Sequence, residues 1–228
     1  MAQSDHPKAF AGIAVGAAFP QSSFAGTEFE KNDQGYAQNG NYLEVNAGYR
    51  FMNNLGGVIM FRGQRHEYDV QTQANQLASE YPGNTIKVES EQWTRTGVMI
   101  GLNGILPLGP EKRTALELKG MIGSMKAVIP EQTLRASNAN EWEEINFAEA
   151  DNSAFAYLAG IALRYNISPR FALSVTGDYL SSEHTFDVTV SSRYSGPAGS
   201  SEALTENAAF TQKIETINVG LGLAYRFF

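Results

Sequence analysis

Cysteine is absent from this 228-residue chain, so neither a disulfide framework nor thiol catalysis is available to it. The absence suits passage through an oxidising compartment, a weak signal because many cytosolic proteins share it. Long apolar runs are lacking too. No stretch of about 18 apolar residues occurs, which excludes a spanning helix, yet 43% of the residues are hydrophobic. A β-barrel satisfies both facts, since only every second residue of its strands faces lipid. Basic residues are outnumbered: 17 Lys and Arg stand against 24 Asp and Glu, a net charge of −7 without a basic run, so no nucleic-acid partner is expected. Glycine-rich phosphate loops, His clusters at metal spacing and internal repeats are missing as well, and the sequence implies neither cofactor nor metal. No apolar leader precedes the first strand-like segment; export of the chain would make Met1 the replacement for a leader.

What is present is a period of two. Ile217, Val219, Leu221, Leu223, Tyr225 and Phe227 share one face of the closing segment, and Asn218, Gly220, Gly222, Ala224 and Arg226 share the other. Bulk on one face and almost nothing on the other suits a strand that turns its bulk to lipid around a narrow lumen. Similar alternation recurs in about eight segments, near 8–19, 41–52, 56–69, 91–106, 114–128, 153–167, 170–188 and 213–228. Three joints between them are brief and turn-forming: Asn53-Asn54-Leu55-Gly56, Pro107-Leu108-Gly109-Pro110 and Ser168-Pro169-Arg170. The other four, near 20–40, 71–90, 129–152 and 189–212, are long and polar, with little periodicity. Long loops at one end, with tight turns and both termini at the other, predict a single domain over 1–228: an all-β, eight-stranded antiparallel up-and-down transmembrane barrel. A soluble β-barrel is the competing architecture. The less regular third and fourth segments suggest a bulge around Gly56-Gly57 or Gly63.

Facing then assigns roles. Tyr49, Phe51, Tyr165, Phe171, Tyr225 and Phe227 gather where strands meet the short turns and are expected to form an aromatic girdle. Glu44, Arg50, Arg62, Arg95, Glu117, Lys119, Arg164, Asp178 and Arg226 lie on the opposite, small-residue face. A lipid-facing Arg or Lys near the midplane costs about 2–4 kcal/mol, so these charges should enter the lumen and pair there. Glu117 is expected beside Arg164, with Arg50 and Arg226 at a similar level. Six bases against three acids leave some bonds for Tyr, Asn or water. Structural filling is the leading reading of this network, and a narrow ion or proton path is its alternative.

Three histidines offer the remaining chemistry. His6 precedes the first strand and reads as a solvated terminal residue. His66, beside Glu67 and Asp69, and His184, beside Glu183 and Asp187, fall at the loop ends of the third and seventh strands, near acids and serines that could serve as base and nucleophile. A solvated rim explains both more economically, and no catalytic or metal-binding residue is assigned. The loops add Phe24, Phe29, Tyr36, Leu77, Tyr81, Trp142, Ile145, Phe147, Tyr194 and Leu204, which either contact a ligand or pack onto the rim. Within them Asn138-Ala139-Asn140-Glu141-Trp142-Glu143-Glu144 combines three acids with a Trp, suited to a basic partner or to divalent cations bridging lipopolysaccharide.

The ending Gly222-Leu223-Ala224-Tyr225-Arg226-Phe227 resembles the Gly-x-x-Tyr-Arg-Phe close of small outer-membrane barrels of the OmpX, Ail and OmpA type. In that family the final aromatic helps the barrel-insertion machinery recognise the strand, which implies an insertion signal at Tyr225, Phe227 and the additional Phe228. The resemblance implies a Gram-negative outer-membrane protein with extracellular loops and periplasmic termini, surrounded by lipid and lipopolysaccharide. Barrels of this type include adhesins, serum-resistance proteins, structural anchors, narrow channels and lipid A modifying enzymes. The leading expectation is a non-enzymatic barrel with a side-chain-filled lumen, acting through its loops on a host or cell-surface ligand in adhesion or envelope integrity. A narrow channel for ions or small apolar solutes, and a lipid A modifying enzyme, are the alternatives.

Overall fold

The computed structural model describes residues 8–28, 31, 33–111, 113–197, 199–201 and 203–227. His6, Phe29 and Phe228 lie outside the described residues, and with Phe228 one part of the expected insertion signal. In chain order the elements are β1 (Ala9–Gln21), α1 (Ser22–Ala25), β2 (Ala37–Arg50), β3 (Leu55–Tyr68), α2 (Val70–Glu80), β4 (Thr85–Ser90), β5 (Trp93–Leu108), β6 (Thr114–Ile129), β7 (Gln132–Ser137), β8 (Trp142–Phe147), β9 (Ala150–Asn166), β10 (Phe171–Gly196), β11 (Gly199–Ser200) and β12 (Leu204–Phe227). Neither helix is long and apolar enough to cross a membrane.

Eight strands close into a ring in the order β1, β2, β3, β5, β6, β9, β10, β12, each antiparallel to the next. Closure comes from β12, which pairs with β10 from Tyr225 opposite Phe171 and with β1 from Phe227 opposite Ala9. No barrel edge is left open, the condition under which strands can lie in hydrocarbon, where an unpaired backbone group costs several kcal/mol. These eight strands are the eight segments expected from the period-two pattern.

The outward faces are apolar over only the turn-side part of the ring. Along β10 the sequence Phe171, Leu173, Val175 and Tyr179 gives way to Glu183, Thr185 and Asp187; along β12 Phe227, Leu223, Leu221, Val219 and Ile217 give way to Lys213 and Thr211. Phe171 to Tyr179, rising about 3.3 Å per residue at a tilt near 40°, crosses roughly 20 Å, most of the apolar band of about 25 Å of a membrane barrel. At the turn end of this band Tyr49, Phe51, Tyr165, Phe171 and Phe227 are exposed, while Tyr225 is half-buried, with its ring edge-on to Phe171 at 5.2 Å and to Phe227 at 5.0 Å.

The connections at the loop end differ from the aperiodic stretches expected. Most of 189–212 is strand, because β10 and β12 stay paired as far as Ser192 opposite Leu204. The 71–90 stretch contains most of α2 and all of β4, and 129–152 contains the hairpin β7–β8. These pieces join edge to edge: β8 adds to the upper part of β10, β7 to β8 and β4 to β7, extending a sheet beyond the apolar band. Asp69 caps α2 by accepting from the Thr72 amide at 3.1 Å. The bulge expected at Gly56-Gly57 or Gly63 is absent: β2 and β3 pair without interruption from Gly40 opposite His66 to Arg50 opposite Gly56, and the irregularity falls between Ala37 and Gly40. Of the tight turns, the one after β5 uses Gly109 at φ 72, a backbone setting that glycine adopts without Cβ strain.

Inside the ring, β5 and β6 pack by large-to-small pairing. Met99 lies opposite Gly123, Met121 opposite Gly101 and Met125 opposite Gly97. The three methionines are buried with Met60, Leu158 and Leu180 in one cluster. A Cβ at Gly123 would stand 2.2 Å from the Val98 carbonyl oxygen and 2.7 Å from Met99 Cα, whereas one at the outward Gly120 meets nothing within 4 Å. Gly123→Ala should therefore cost about 1–3 kcal/mol through overpacking against backbone, and Gly120→Ala should be close to neutral. Urea unfolding of the two variants in lipid measures the difference, and equal stabilities would contradict this packing.

Candidate functional site

The lumen is stratified. At its middle Arg62, fully buried on β3, forms a two-pronged bond to Asp178 of β10, Nη1 to Oδ1 at 2.6 Å and Nη2 to Oδ2 at 2.7 Å. Its Nη2 also donates to Glu44 of β2, which accepts in addition from Lys119 Nζ at 3.3 Å and Asn46 Nδ2 at 2.7 Å. Asn218 donates to Asp178 at 2.8 Å and accepts from Gln64 at 2.7 Å. The guanidinium carbon sits 4.5 Å from the centroid of the Tyr42 ring, whose hydroxyl is 3.1 Å from Thr176 Oγ1. Arg62, Lys119, Glu44 and Asp178 thus make an electrically neutral quartet contributed by four strands.

Below it, at the turn end, Arg164 is ion-paired with Glu117. Arg50 and Arg226 line the same cavity as this pair, and Arg226 Nη2 donates to the Ser168 carbonyl at 2.7 Å. Arg95 joins neither group of paired charges. It is buried one level above the quartet, donates to Ser182 Oγ at 2.9 Å and meets no acid among the described residues.

Above Arg95 the lumen is covered by aromatic rings. Phe24, carried back over the mouth by α1, lies 5.4 Å edge-on from Trp93, which lies 6.1 Å from Phe186. His66 and His184 are buried beneath and beside these rings, which corrects their placement on a solvated rim. His184 Nδ1 is 3.1 Å from the Asn152 carbonyl, which can only accept, so Nε2 accepts from Ser182 at 2.8 Å and Ser182 in turn accepts from Arg95. His66 Nδ1 likewise donates to the Gln38 carbonyl at 3.0 Å. Bases held this way keep fixed tautomers under the aromatic rings, and among the described residues no carboxylate hydrogen-bonds to either. Phe24 and Tyr36 belong to the same buried cluster rather than to an exposed loop surface.

Beyond the lid, a cavity of about 500 Å³ separates α2 from one face of β4, β7 and β8, walled by Leu77, Tyr81, Ile86, Leu134, Trp142 and Ile145. A second, of about 320 Å³, occupies the mouth, and the two share Gln73 and Phe147. The acidic segment leading into β8 finds its basic group within the chain: Arg135 stacks 4.9 Å from the Trp142 ring centroid and stands 3.9 Å from Glu144. Tyr194 donates to Glu141 at 2.6 Å, a bond that lowers the Glu141 carboxyl and raises the phenol. Among the described residues no cluster of His, Asp and Glu could hold a metal ion. Tyr42, Gln64 and Asn218 were not singled out by sequence; their only signal was a polar side chain on the lumen face.

No protein-family model and no curated protein matches the chain. Solved structures do. A major outer membrane protein of Thermus thermophilus is 13% identical, with 96% of this chain and 99% of that one covered at a TM-score of 0.51. Neisserial surface protein A (NspA) is 10% identical over 96% and 97%, at 0.49. Ail, the attachment invasion locus protein of Yersinia pestis, is 14% identical over 97% and 99%, at 0.45. Identity this low speaks for the fold alone, and with the closed ring it gives the fold class: a small eight-stranded antiparallel β-barrel of the kind solved for outer-membrane proteins.

The quartet yields a test. Arg62→Leu strands Glu44 and Asp178 without their shared cation and should destabilise the barrel by about 3–5 kcal/mol, while adding Asp178→Leu should recover part of that loss. A double-mutant cycle on unfolding free energies gives the coupling; additive losses would mean the two residues do not act as a pair.

Proposed function

We propose that the barrel sits in the bacterial outer membrane with its loop end outside and its short turns and termini in the periplasm, and that it binds at the loop end without conducting or catalysing. The observation that carries this reading is the roughly 500 Å³ apolar cavity under α2, set above a lumen blocked by the aromatic lid and by the fully buried Arg62. Concave, mostly apolar sites with a few polar groups are the usual form of a ligand pocket. Glu141 and Glu143 at its edge favour an apolar group carried next to positive charge, as on a basic surface protein of a host or neighbouring cell. Lipid and lipopolysaccharide surround the apolar band, and Tyr225 and Phe227 present the aromatic pattern that the insertion machinery reads. A second reading, capture of small apolar solutes, draws on the shared lining of the pocket and the mouth cavity.

Two measurements check the proposal. In planar bilayers the barrel should be silent at all voltages below breakdown; steady single-channel steps would overturn the blocked lumen. A labelled cationic amphipathic peptide should bind the protein in phosphatidylcholine nanodiscs, and Trp142→Ala, or Glu141→Gln with Glu143→Gln, should weaken it by about tenfold or more. Absent binding, or affinity unchanged in both variants, would remove the pocket from the function.

A further inference from the structure

The turn end of the lumen holds a charge imbalance that the barrel does not resolve by itself. A partly enclosed cavity of about 80 Å³ is lined there by Arg50, Asn103, Glu117, Lys119, Arg164 and Arg226, among others. Lys119 is already matched in the neutral quartet, through Glu44. What remains is three arginines facing one carboxylate, an excess of two positive charges. Among the described residues the buried Nε–H groups of Arg164 and Arg226 have no acceptor, and the Arg50 side chain makes no hydrogen bond or ion pair. The quartet and the methionine cluster close the cavity from above, so it is a blind chamber entered from the turn end.

We propose that this chamber binds a phosphate-class dianion: inorganic phosphate or a phosphate monoester. Water has room to enter, since 80 Å³ holds roughly five or more molecules at about 10–15 Å³ each. Water satisfies the free N–H groups and leaves both charges uncompensated in a chamber walled by protein and lipid. Chloride or a carboxylate cancels one. A dianion cancels both and matches the forked geometry of arginine donors, which hold phosphate oxygens in pairs. The monoester's source is a free anion or a lipid headgroup such as that of phosphatidic acid.

The test is calorimetric titration of inorganic phosphate into the barrel in phosphatidylcholine nanodiscs, at constant ionic strength and pH 8. Saturable one-to-one binding is expected. Arg50→Gln should weaken it about tenfold, the loss of one charge-assisted contact; because that side chain makes no hydrogen bond or ion pair among the described residues, the variant is expected to fold. Glu117→Gln, which raises the excess charge, should tighten binding several-fold. Discs containing phosphatidic acid separate the sources: binding abolished there identifies the lipid headgroup as occupant, and binding retained identifies the free anion. Unsaturable heats with the wild-type barrel, or equal phosphate affinity in wild type and Arg50→Gln, would overturn the proposal.

Discussion

Hydrocarbon offers no hydrogen bonds, and everything else in this barrel follows from the need to pair each backbone group of the apolar band within the ring. β12 meets that need by serving two neighbours, β1 and β10, so the last strand of the chain is also the seam. Once the ring is closed, the period of two sorts side chains between lipid and lumen with no third choice. The bulk of Ile217, Val219, Leu221 and Leu223 goes outward, and the lumen receives glycine, alanine and the charged residues.

The charges in turn hold the register. A slip of one residue anywhere in β2, β3 or β10 would turn Glu44, Arg62 or Asp178 out into lipid, and for a base that costs about 2–4 kcal/mol. A buried ion pair adds little net stability over an apolar filling, so the contribution of the quartet lies in making alternative pairings expensive. The methionine–glycine pairs across β5 and β6 act by shape in the same direction, since each methionine fills the space that a missing side chain leaves on the facing strand.

The ring was legible in the sequence because its strands alternate over nine or more residues and three of its joints carry turn-forming Asn, Gly and Pro. The loop end was not, for a definable reason. Above the band the outer face of β10 reads Glu183, Thr185, Asp187, so the apolar contrast that marks a membrane strand vanishes although the strand continues. β4, β7 and β8 are six residues each, too short for periodicity to declare itself, and they are stabilised by one another and by α2. The lumen face of each charge could be read from parity, but its partner could not: Arg62 and Asp178 are 116 residues apart and meet only through the order of the ring. The histidines were misplaced for a similar reason. Nothing local shows that α1 returns Phe24 across the mouth and covers His66.

Stratification separates the two ends of the molecule. The quartet at mid-lumen is neutral in charge, with Arg62 held between Glu44 and Asp178, and the methionines pack beside it. The ends are free to differ in sign. Six bases and three acids in the lumen make its surroundings more acidic than the overall charge of −7 states, and much of that acidity stands at the loop end, in Glu141, Glu143, Glu183 and Asp187. The turn end, by contrast, gathers arginines around a single carboxylate. The two ends thus differ in electrostatic character, and the lumen between them is filled by side chains whose removal would unsettle the register of the ring.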